Sequence, residues 1–312
     1  LALPRPMTLL SAPARPPSPI ARLANQPYVL LALMALFWAG NIVLGRFVAH
    51  HVPPVTLTAI RWLGASALLL PFAWSHLRRD WPTIRRNLPQ LAMLALTGFA
   101  INNALAYWGL QYTQALNALL VQSSGPLFVA LWALLLFGIR LTLAQGLGIT
   151  LSLTGVLTIL LRGDVATLAA IAFNRGDIMI TMALVVFGLY SALVMRRPKI
   201  HALSLTAFTM GLGGLMLVPG AAWEAWHGNT LTFDAITMAT VAYVVIFPSA
   251  LAYLFFNRGI ALIGPNRAAP FFHLIPVFGS AMAILFLGER LQLFHLVGYA
   301  LVLAGIAFAS RK

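Results

Sequence analysis

Apolar runs long enough to cross a lipid bilayer recur along this chain from Tyr28 to its C-terminus, and no other feature constrains its fold so strongly. A helix needs roughly 20 residues to span a hydrocarbon core about 30 Å thick. One soluble core could not bury this much apolar side chain, because 61% of the 312 residues are hydrophobic and 8% are charged. Lipid must be the solvent for most of the chain. The runs predict an all-α integral membrane protein of ten transmembrane helices, at 28–48, 54–75, 89–110, 114–137, 142–161, 177–195, 201–222, 234–256, 262–287 and 291–309.

The formal charge of +14 would point to nucleic acid in a soluble protein, but here Lys and Arg stand between hydrophobic runs and form no single basic face. Nucleic acid is therefore not an expected partner. With the N-terminus cytoplasmic, 15 of the 20 basic residues collect on that side, among them Arg78, Arg79, Arg85, Arg86, Arg196 and Arg197. Arg46, Arg162, Arg175 and Arg290 stay opposite. This positive-inside bias predicts a multi-pass protein of a bacterial inner membrane with both termini cytoplasmic. Residues 1–27 hold seven prolines and three arginines and are expected to be a disordered tail, with residues 1–6, ahead of Met7, a cloning scar. Cysteine is absent, which excludes disulfides, thiolate catalysis and thiolate metal sites.

The two halves resemble each other at a spacing of 146–150 residues. Phe37 aligns with Phe187, Arg46 with Arg196, Pro71 with Pro219, A-L-A-Y at 104–107 with A-L-A-Y at 250–253, Pro126 with Pro276, and Gly138 with Gly288. The expected units are 28–161 and 177–310. Five spans per unit is an odd number, so the second must enter the membrane from the opposite side. Inverted repeats of this kind suit secondary transport, because two equivalent halves can open in turn to either face.

The tandem five-span unit, F-W-A-G-N at 37–41, R-W-L at 61–63 and L-G-E-R-L at 287–291 resemble the drug/metabolite transporter superfamily of EamA type, and within it the YddG-type exporters of aromatic amino acids. The first half departs from L-G-E-R, having Gly138-Ile139-Arg140 without the acid. The resemblance implies ten helices around a central cavity lined by both halves, with export of amino acids or related metabolites.

Counting 1.5 Å per residue from each helix end places the midplane near residues 39, 100, 126, 186, 246 and 275 of six spans. Polar and aromatic residues gather there: Trp38, Asn41, Phe99, Asn102, Asn103, Tyr107, Ser123, Ser124, Phe187, Tyr190, Ser249 and His273. Each alone is as readily interhelical packing as a ligand contact, but six clustered spans point to a substrate cavity. Pro126, Pro248 and Pro276 lie at similar depth, where each removes a backbone hydrogen bond and is expected to kink its helix and serve as a hinge. Arg61 and Arg267, within two turns of span ends, are expected to snorkel. Spans two, five, seven and ten are read as scaffold, with Gly148, Ser152 and Gly155 as close helix contacts.

No Asp or Glu falls near a midplane, which argues against a carboxylate proton relay and for a substrate of little net charge, such as a zwitterionic amino acid. No metal or cofactor is expected, and the protein is expected to act as a monomer. The alternative function is an intramembrane lipid-modifying enzyme. It would need a nucleophile with a base, or metal ligands; one deep His, no deep acid and no Cys supply little of either.

Overall fold

The computed structural model describes residues 25–138, 143–160, 174–263, 271–272 and 274–309, and its regular elements are all helical. They are α1 Pro27–Phe47, α2 Pro54–Arg86, α3 Leu88–Gly109, α4 Ala115–Gln122, α5 Gly125–Phe137, α6 Leu143–Leu160, α7 Arg175–Val194, α8 Ala202–Trp226, α9 Ala235–Ile263, α10 Leu274–Leu287 and α11 Leu293–Ala309. Six of these, α1, α2, α3, α7, α8 and α9, are long and apolar enough to cross a membrane, and α4 with α5 forms a bent seventh. The expected tail at 1–27 lies almost wholly outside the described residues.

Three elements differ from expectation. α2 continues to Arg86, eleven residues beyond 75, as an amphipathic extension: Arg78, Arg79, Arg85 and Arg86 are exposed while Ile84 packs with Leu91, Leu94 and Leu205. α9 continues to Ile263, since no Gly or Pro interrupts it between Gly259 and Gly264; residues 262 and 263 therefore belong to the eighth run, and the next described helix begins at Leu274. The fourth run is broken. α4 stops at Gln122 and α5 leaves at 45°. Pro126 stands in the first turn of α5 and Pro276 in the first turn of α10, where a missing N–H costs no helical bond. The kink expected in the fourth run thus falls at the break just ahead of Pro126.

Two π-helical turns, Leu96–Ile101 within α3 and Ile246–Leu251 within α9, stand 150 residues apart. Gly138 and Gly288, also 150 apart, end α5 and α10 at φ +64° and +66°, a conformation that glycine adopts without Cβ strain. In this span the repeat offset is therefore 150, and the two A-L-A-Y segments, offset by 146, sit one helical turn out of equivalence.

The packing follows the same symmetry. α1 packs against α9 and α10, and its counterpart α7 against α3 and α5; α2 lies along its counterpart α8, and α6 along α11. Exchanging the halves maps this pattern onto itself. Close approach is built with glycine: a Cβ on Gly155 of α6 would meet the Gly298 carbonyl of α11, and one on Gly214 of α8 would meet Leu63 of α2.

At the end of the molecule where α1 finishes, two carboxylates from the second half cap helices of the first. Glu289 accepts the Ala115 and Leu116 N–H groups of α4 at 2.8 and 2.9 Å. Glu224 accepts those of Val55 and Thr56 of α2 at 3.0 and 2.8 Å. Orphan N–H groups and the helix dipole both favour an anion there.

Candidate functional site

Arg61 forms the centre of the site. It is 3% exposed and does not snorkel. Its Nε donates to Ser249 Oγ at 2.7 Å, and its Nη1 to Asn103 Oδ1 at 3.1 Å and Tyr107 Oη at 3.2 Å. The Tyr107 hydroxyl then donates to Asn41 Oδ1 at 2.5 Å. One guanidinium thereby joins α1, α2, α3 and α9. Its carbon lies 4.2 Å from the Trp62 ring centre, a cation–π contact that lowers the cost of burial.

The π turns shape the acceptors. Pro248 has no N–H for the Val244 carbonyl four residues back, and Ser249 Oγ donates to that carbonyl at 2.7 Å while accepting from Arg61. Across the first π turn, the Asn103 amide donates to the Gly98 carbonyl at 3.1 Å while its oxygen accepts from Arg61. In each half a side chain reaches back five residues over a widened turn and offers its oxygen inward. π turns inside α-helices frequently mark functional sites.

The other expected site residues divide. Asn41, Asn102, Asn103 and Tyr107 line a cavity of about 80 Å³ with Gln122 and Ala106, and Asn41, Asn103 and Tyr107 belong to the Arg61 network. Trp38 donates to the Pro248 carbonyl at 2.9 Å and packs on Tyr253, Phe256 and Phe272. Phe99, 1% exposed, packs edge-on to Trp62 and Tyr190, and Phe187 packs on Tyr190. These rings form a wall behind the polar cluster. Ser123 and Ser124 donate to the Leu119 and Val121 carbonyls and so close the end of α4. His273 and Arg267 lie outside the described residues.

A larger cavity of about 720 Å³ opens where α1 ends, lined by Arg46, His50, Gln114, Asn117, Glu289 and Arg290 among others. Asn117 on its wall and Ala118 in the smaller cavity are neighbours on α4, so both cavities lie on the seam between α1 and α4. Behind Asn117 is a buried polar group. The Asn117 amide donates to the Asp177 carboxylate, which also accepts from Thr113, and Asn117 Oδ1 meets His295 Nε2 at 2.8 Å. His295 Nδ1 accepts the Gln292 N–H, so the ring proton is on Nε2. Asp177 in the first turn of α7 was the available sequence signal, since an acid at the start of so apolar a run needs a partner.

A helical bundle with symmetric halves, a buried polar centre and a cavity leading inward from one end is the architecture of a membrane transporter. The chain belongs to the EamA-like transporter family, which it matches twice, over residues 26–161 and 174–311. It is 28% identical to an uncharacterized transporter, YyaM, of Bacillus subtilis, over 91% of this chain and 93% of that one. It is 28% identical to a probable terminal-alkyne amino-acid exporter of Streptantibioticus cattleyicolor, over 73% and 74%. To a probable amino-acid metabolite efflux pump of Salmonella typhimurium it is 24% identical, over 89% and 92%. It is therefore a multi-pass membrane protein of a transporter family.

Proposed function

We propose that this protein exports amino acids, aromatic and other neutral ones, and related small metabolites across a bacterial inner membrane by alternating access. The ten spans are α1, α2, α3, α4 with α5, α6, α7, α8, α9, α10 and α11, with the second five inverted and both termini cytoplasmic. Flux is facilitated or by exchange, and a monomer in lipid is the working unit. The observation that carries this reading is the seam between α1 and α4, which leads from an open cavity of about 720 Å³ toward a buried cluster built from both halves. The exporter and efflux-pump names of two relatives support amino acids as the cargo. The aromatic wall at Trp38 and Tyr253 suits an apolar side chain, and the break at Ser123–Ser124 and the two π turns give the halves places to flex.

Counterflow tests it. Proteoliposomes preloaded with unlabelled phenylalanine or leucine are expected to take up the labelled amino acid transiently, and Ala at Trp38, Asn41, Asn103 or Tyr107 is expected to cut the rate at least several-fold. No counterflow of any of a panel of neutral amino acids, with protein that melts cooperatively, would refute the reading.

A further inference from the structure

We infer that Arg61 is the anchor for a carboxylate, so that cargo at this site must carry one. The inference rests on the transport reading above and names the chemistry that the same site selects.

The argument starts from what Arg61 lacks. A guanidinium holds its proton under all ordinary conditions, so burial cannot be relieved by neutralisation. A buried charge is normally paired, because removing it from water costs several kcal/mol. Among the described residues, every hydrogen-bond partner of Arg61 is neutral: the Ser249 and Tyr107 hydroxyls and the Asn103 amide oxygen. The ion pair found among the described residues, His51 with Asp234, is at the end of the molecule. Nη2 meets no acceptor among the described residues, which leaves its two N–H donors, one on each side of the fork's tip, without a partner. The Trp62 indole that stacks on the guanidinium is 1% exposed, and its Nε1–H has no partner either.

Net positive charge and two spare N–H donors on the guanidinium call for a missing small anion. A carboxylate oxygen accepts from such N–H groups in a short, charge-assisted hydrogen bond. Neutral walls make that anion part of the cargo, since no described side chain nearby supplies it. Asn41, Asn102 and Gln122, which line the adjoining cavity with oxygen acceptors, suit the ammonium of a zwitterion. A cation thus stands directly behind the lining residues Asn103 and Tyr107, where the sequence suggested a neutral site.

The test separates this inference from the transport reading by using binding as well as flux. Thermal stabilisation of the detergent-solubilised protein is measured with phenylalanine, its methyl ester, its carboxamide, phenethylamine and 3-phenylpropionate. The amino acid and the deaminated acid are expected to stabilise the wild type, with the ester, amide and amine at least tenfold weaker. Arg61→Gln is expected to bring the panel within about twofold, and Arg61→Lys, which keeps charge without the fork, to fall between. The same compounds then compete in counterflow. Equal binding of ester, amide and amino acid by the wild type overturns the inference whether or not Arg61→Gln folds, as does undiminished selectivity in Arg61→Gln. Carboxylate-selective binding without any counterflow upholds the anchor and refutes the transport reading.

Discussion

The hydroxyl of Tyr107 is the hinge pin of the polar centre, accepting from Arg61 and donating to Asn41. Tyr107→Phe keeps the ring but leaves the Asn41 oxygen without its donor and removes one acceptor from the guanidinium. A buried group stripped of its partner costs about 1–3 kcal/mol, so a lowered melting temperature and a several-fold loss of flux are expected from detergent melts and counterflow. At the end of the molecule, Asp234 caps α9 through the Thr237 N–H at 2.7 Å and pairs with His51 at 2.8 Å. The Thr237 N–H, with His51 adding to it, holds this carboxyl below its ordinary value. A lowered folded-state pKa means that the stabilisation is complete above the unfolded value, about 3.9, and is lost as pH falls through the folded one. Asp234→Ala is therefore expected to melt earlier than wild type at pH 7, with the gap closing below about pH 4. At this scale the sequence revealed the neutral members of the site, because Asn and Ser stand out in apolar runs. It concealed Arg61, since counting residues locates a Cα along its helix and says nothing of the direction in which a long side chain leaves it.

Helices were legible wherever hydropathy alone decides them, so α1, α3 and α7 begin and end within two residues of expectation. Interruptions were not, because a π turn depends on which local donor replaces a missing one. Ile246–Leu251 contains Pro248 as a visible cause, whereas Leu96–Ile101 has no proline and gave no sign. Pro248→Ala restores an N–H that competes with Ser249 for the Val244 carbonyl. We expect a protein at least as stable as wild type with reduced flux, because Ser249 is then free to turn away from Arg61. Unchanged flux with raised stability would mean that the π turn is a packing solution alone. Gly98, on the other π turn, faces Tyr190 so closely that an added Cβ would enter the ring. Overpacking of this kind costs typically 1–3 kcal/mol, and Gly98→Ala is expected to lower the melting temperature by separating α3 from α7.

Across the whole molecule, the helix contacts obey the exchange of halves, and the end caps obey it only in part. Glu289 and Glu224 both tie the second half to helix starts of the first, at the end that the basic residues avoid. At the opposite end Asp80 of the first half accepts the His201 N–H at the start of α8 at 2.9 Å, as Glu224 does at α2, whereas the sequence position 150 residues before Glu289 is an isoleucine, Ile139. Among the described residues, two carboxylate ties at one face against one at the other bias an otherwise symmetric pair of states. Hydrogen bonds to a charged group contribute roughly 1.5–3 kcal/mol each, enough to shift a two-state equilibrium more than tenfold. Glu289→Gln keeps an acceptor for one N–H, loses the charge, and should loosen α4 where the larger cavity meets the α1 seam. Because the natural background has no cysteine, a single Ala118→Cys reports on that seam without interference. Its reaction with a membrane-impermeant maleimide, added from outside to right-side-out vesicles, is expected to speed up several-fold when Glu289→Gln is introduced. A rate that stays the same would show that the tie serves only to cap α4, and that the bias between faces must come from elsewhere in the two halves.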